Sequence, residues 1–146
     1  MAPSLLFAYT ACGIFLLTGL ITGVWKYYHI HASEDAQAPV YVDIAHRSSL
    51  MYSFATLVLA KFVELSPYSE TVTFWSAVGP IVFFALAIST YVIHGILKDT
   101  DNQMKRPHKL GAFTLPGWVI VSFMVALIIA EIGGFGILFV GFLSTL

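Results

Sequence analysis

The five histidines stand out in a chain of which only 10% is charged, and they are the natural place to look for chemistry. An imidazole offers a nitrogen lone pair suited to haem iron, or a proton carrier near neutral pH. His46 lies in a stretch from Asp43 to Thr56 where polar side chains enter an otherwise oily sequence, and Ser49, Ser53 and Thr56 follow it close to one line on a helical surface. Polar groups in hydrocarbon are costly without partners. That line is therefore expected to face inward, toward a cofactor, a cavity or another helix.

His94 is the other histidine inside or at the edge of an apolar stretch, which leaves a bis-histidine haem site from His46 and His94 open beside plain hydrogen bonding of each ring. His29 and His31 are two residues apart and do not share a helical face, so solvation or headgroup contact is expected for them. Tyr52 and Tyr91 are candidate donors to a substrate oxygen, because a phenol can donate a hydrogen bond in an apolar site. Packing with one satisfied hydroxyl is the alternative for each.

The elements that must position these groups are membrane spans. The chain has 146 residues, 58% of them apolar, and a mean hydropathy of +0.85, well outside the range of ordinary water-soluble domains. Segments at about 5–28, 45–65, 72–97 and 116–142 each reach the length of ~20 mostly apolar residues that a crossing helix needs. The expectation is an all-α polytopic membrane protein: one domain over 1–146, a bundle of four transmembrane helices. The first segment lacks a basic stretch before its apolar run and is read as a mature span, not a secretory signal. Cys12 is the only cysteine, so an intrachain disulfide is excluded, and a net charge of −1 gives no hint of nucleic-acid binding.

Lys26, Arg47, Lys98, Lys105, Arg106 and Lys109 fall on the side shared by the first and third connections, with only Lys61 toward the other. The positive-inside rule then puts these histidine-bearing connections in the cytoplasm and both termini outside, with a bacterial inner membrane as the expected location. Within the spans, Gly19 and Gly23 form a small-residue pattern for close helix approach, and Gly133, Gly134 and Gly136 suit packing or an oligomer contact. Asp43 is expected to cap the second helix, placing His46 in its first turn. Pro80 is expected to kink the third helix, and the connection from Lys98 to Lys109 reads as a solvated loop. Lys61 and Glu131 come out at similar depths when counted from the helix ends, so an ion pair between them is expected, with Glu64 as a further neighbour; a protonated Glu131 is the alternative.

An Ala-His pair opening the second helix (Ala45, His46) and a tyrosine late in the third (Tyr91), in a four-span chain of this length, resemble the styrene oxide isomerases, which are related to the hydroxylaminobenzene mutases. The likeness covers the whole chain as architecture and a few positions as motif. It implies a trimer with haem b near the subunit contacts, His46 as axial ligand and Tyr91 at the substrate pocket. Phe54, Phe83 and Phe84 would wall that pocket. Tyr52 stands where the family has an asparagine. The resemblance further implies that ferric iron acts as a Lewis acid on an apolar epoxide, which rearranges to an aldehyde by a 1,2-shift without net redox change.

The leading expectation is thus a haem b-dependent membrane isomerase whose partners are the lipid bilayer, a small apolar substrate and further copies of itself. A small haem-binding or haem-free accessory subunit of a membrane oxidase or monooxygenase is the alternative, with His46 and His94 serving electron transfer or packing. A transport or lipid-contact role at the level of Lys61 and Glu131 is the third.

Overall fold

Thirty residues, Pro3–Ala32, wind into α1 without a break, and a proline in the first turn suits a position whose N–H has no helical partner. The computed structural model covers residues 1–146. After α1 come α2 (Val40–Glu64), α3 (Glu70–Leu97), two short strands β1 (His108–Leu110) and β2 (Phe113–Leu115), and α4 (Gly117–Leu143). The protein is all-α apart from that antiparallel hairpin, in which His108 pairs with Leu115. Three helices, α1, α3 and α4, are long and apolar enough to cross a membrane. The polar residues that make α2 chemically interesting, from Asp43 to Glu64, also lower its hydropathy.

Gly19 and Gly23 do what their spacing suggests. A Cβ on Gly19 would fall 2.6 Å from Leu50 Cδ2, and one on Gly23 would fall 2.9 Å from His46 Cε1. With hydrogen in place of a methyl group, α1 and α2 approach closely along this seam. Farther along it, Ser53 Oγ donates to the Cys12 carbonyl at 3.0 Å. Ser49, Ser53 and Thr56 are 0%, 4% and 0% exposed. The polar line on α2 therefore faces inward, and the partner it meets is mainly another helix.

The apolar core joins Ala8, Ala11 and Phe15 of α1 to Leu59 and Val63 of α2, Ile81 and Ile88 of α3, and Leu138 of α4. Pro80 lies within a continuous α3. Because proline has no N–H, the Ser76 carbonyl loses its helical donor. Gly134 of α4 packs against both this carbonyl and the Pro80 ring, and an added Cβ would sit 2.7 Å from Pro80 Cδ. Gly133 and Gly136 have nothing within 4 Å of such an atom, so only one of the three glycines packs within the chain. In α4 only Leu138 and Gly141 are buried, so most of that helix is exposed.

The start of α2 differs from the sequence expectation. Pro39 occupies the N-cap position and the helix begins at Val40, so His46 lies in the second turn. Asp43 caps nothing; its carboxylate pairs with Lys26 of α1 at 2.6 Å and with Arg47 at 2.7 Å. The competing cation across the α1–α2 seam wins the carboxylate that a free first-turn N–H would otherwise have taken.

Candidate functional site

His46 is set by its neighbours on α1. Its Nδ1–H donates to the Gly19 carbonyl at 2.8 Å, and its ring lies over Gly23 in space that a methyl group would fill. No protein group bonds its Nε2, and no buried side-chain nitrogen or oxygen in the structure is without a partner. The free nitrogen therefore keeps an open approach. An imidazole held through one nitrogen by a backbone carbonyl, with the other lone pair available, is the arrangement typical of a metal-ligating histidine. On this observation the residues present fit an axial ligand to haem iron.

His94, at the end of α3, has a different environment. Its Nδ1–H donates to Asp99 Oδ1 at 2.8 Å, and its ring packs against Tyr41 with centroids 5.0 Å apart. The turn that makes this possible passes through Lys98 in the left-handed region (φ 49°). Asp99 Oδ2 accepts from the Gly111 N–H at 2.5 Å, where the hairpin turn also needs positive φ (59°). Burial of Asp99 disfavours its charge, but the bonds from Gly111 and His94 and the attraction to His94 outweigh it, holding the carboxyl below the usual range. Two cavities are bordered by His94, and His46 borders neither.

The tyrosines face a third direction. Tyr52 stacks on Phe84 of α3 with centroids 4.5 Å apart, and the polar groups around its hydroxyl are Tyr91 and Glu131. Tyr91 stacks in turn on Tyr41, with centroids 6.1 Å apart. Tyr52 and Tyr91 thus come together across α2 and α3. His46, six residues before Tyr52, is displaced by about 120° around α2 and ~9 Å along it. Within one protomer His46 turns to α1 while the tyrosines turn to α3. Phe83 packs against Phe123 of α4, and Phe54 is 67% exposed on the outside of α2.

The ion pair expected between Lys61 and Glu131 is absent. Lys61 Nζ lies 2.9 Å from Glu64 Oε2 on the exposed side of α2. The depth count fails because α2 starts at Val40. Those five extra residues carry Lys61 ~7 Å farther toward the opposite end.

Three functional-looking residues escape the sequence analysis. Tyr41, 5% exposed, packs on Tyr91 and His94, and its hydroxyl accepts from the Gln103 N–H at 2.5 Å. Asp99 and His108 are buried inside a connection that composition marks as solvated. The available signal is the run from His108 to Leu115, with Gly111-Ala112 as a two-residue turn between Leu110 and Phe113, which is a short hairpin pattern. No protein-family model, curated protein or solved structure matches the chain.

Proposed function

We propose that this protein is a membrane-embedded haem-binding helical bundle in which all four helices cross the bilayer, with the end that carries His46 and His94 on the cytoplasmic side. Within that class we infer an isomerase that rearranges a small apolar epoxide to an aldehyde. One observation carries the reading: His46 is held at Nδ1 by the Gly19 carbonyl, over the hydrogen of Gly23, with Nε2 unpartnered.

Bound haem b would be held by His46, and its ferric iron supplies Lewis acidity toward an epoxide oxygen. The chain's own contribution is orientation and dryness. The Gly19 carbonyl fixes the ring and the tautomer that leaves Nε2 as the lone pair. Apolar side chains beside the tyrosines, such as Phe84 stacked on Tyr52, would exclude water that would open an epoxide to a diol. Because His46 and the Tyr52–Tyr91 pair face different neighbours in one protomer, the reading needs a second copy, trimeric by family resemblance, to bring a tyrosine toward His46. The exposed apolar surface of α4 is available for such an assembly. The same separation favours the second reading, a haem-carrying accessory subunit in which the tyrosines only pack.

An absorption spectrum of the purified protein beside His46→Ala and Gly23→Val tests the class. A Soret band that both substitutions abolish, while helical content is kept, is the expected result. Colourless wild-type protein after expression with excess haem overturns it. Conversion of an aryl epoxide to the aldehyde supports the isomerase. A low-spin, bis-histidine spectrum without turnover favours the accessory subunit.

A further inference from the structure

Under the β1–β2 hairpin, between the ends of α3 and α4, lies a cavity of about 230 Å³ with apolar walls that include Ile93, Leu115, Val119 and Phe123. This is far more room than the ~30 Å³ share of a single water. Two imidazoles border it, those of His94 and His108, whose residues are only 6% and 8% exposed.

Both rings are tied at the same atom. His94 Nδ1–H donates to Asp99, and His108 Nδ1–H donates to the Gln103 carbonyl at 3.3 Å. Neither a carboxylate nor a carbonyl can donate, so each Nδ1 carries the hydrogen, and in the neutral ring each Nε2 presents a lone pair. No protein group bonds either Nε2, yet no buried side-chain nitrogen or oxygen lacks a partner, so neither nitrogen is fully enclosed by the protein. For His94 the Nδ1 edge is the one turned to the polar recess formed with Asp99 and Asp101. His94 also borders the apolar cavity, so its ring separates the two spaces.

We propose that this cavity binds a small, mostly apolar molecule that carries a hydroxyl donor, such as a phenol or another hydroxylated ring. The O–H donates to the Nε2 of His94 or His108, and the ring lies against Phe123 and Met124. A cation fits less well. The thioether-bearing residues Met104 and Met124 are present, but no aspartate, glutamate or cysteine lines the space. The site shares no residue with the His46 cradle and stands whether or not haem is bound there.

The test uses the full chain in lipid nanodiscs, with histidine nitrogen resonances followed during titration with β-naphthol and with its methyl ether, which has nearly the same shape and no donor. β-Naphthol is expected to shift the His94 and His108 signals saturably and to bind about tenfold more tightly than the ether, the value of one hydrogen bond. Replacing both acceptors, His94→Phe together with His108→Phe, should remove that preference. Met124→Trp, which fills the cavity from α4, should abolish saturable binding of both probes. A linear shift that follows partition into lipid overturns the proposal. So does equal affinity for the two probes, wild-type binding by a folded Met124→Trp protein, or stoichiometric metal that copurifies and is lost in His108→Phe.

Discussion

His94 and Asp99 close a five-residue loop at the end of α3 with a 2.8 Å hydrogen bond between two side chains that are 7% and 6% exposed. Through its second oxygen Asp99 also holds the Gly111 N–H, so one carboxylate ties α3 to the hairpin. The carboxyl lies below its ordinary range in the folded chain. A depressed value means that the charged form stabilises the fold, fully above the ordinary carboxylate pKa of ~4, and that the contribution is lost as pH falls through the lower folded value. Hydrogen-exchange protection of the Gly111 amide should therefore be constant from neutral pH down to about 4 and fall in stronger acid. Asp99→Asn should lower that protection at neutral pH by about 1–3 kcal/mol, since one of its two bonds meets an amide donor.

Gly134 and Gly133 make a paired experiment on α4. A methyl group on Gly134 meets the Pro80 ring and the Ser76 carbonyl, neither of which can rotate away. Gly134→Ala should cost about 1–3 kcal/mol by forcing α3 and α4 apart. Gly133 has open space at that position. Gly133→Ala should be neutral or stabilise by up to ~1 kcal/mol through helix propensity. Thermal unfolding in one detergent, followed by circular dichroism, separates the two.

Lys61 is not part of a buried pair. Its side chain is 60% exposed and its partner Glu64 is one turn away. Lys61→Met should leave the thermal unfolding of the bundle essentially unchanged, because an exposed ion pair contributes little. A larger loss in thermal unfolding would show that Lys61 reaches a buried acid such as Glu131 after all.

Where a pattern is local and repeated, the sequence was readable. Apolar length places the helices, and the spacing of Gly19 with Gly23 and of Ser49 with Ser53 and Thr56 marks two faces that pack inward, although not that they meet each other. The start of α2 was misplaced because Asp43 has ordinary capping chemistry, and nothing in its neighbourhood shows that Lys26 stands opposite. That shift of five residues alone produced the false Lys61–Glu131 pair. The connection after α3 looked solvated because Asp99, Asp101 and Lys105 dominate its composition, whereas its structure depends on bonds to His94 and Tyr41 that no spacing encodes. His46 was legible as a polar group needing a partner, and the Gly19 carbonyl that supplies one became visible only when α1 and α2 were set side by side.

The sparse burial of α4 bears on biogenesis. Every buried side chain but that of Leu138 belongs to residues that leave the ribosome before Gly117 does. The first three helices can thus reach their mutual fit while the last is still being synthesised. α4 then arrives as a late stave, guided into register by the Gly134 notch over Pro80, and its remaining surface stays uncovered.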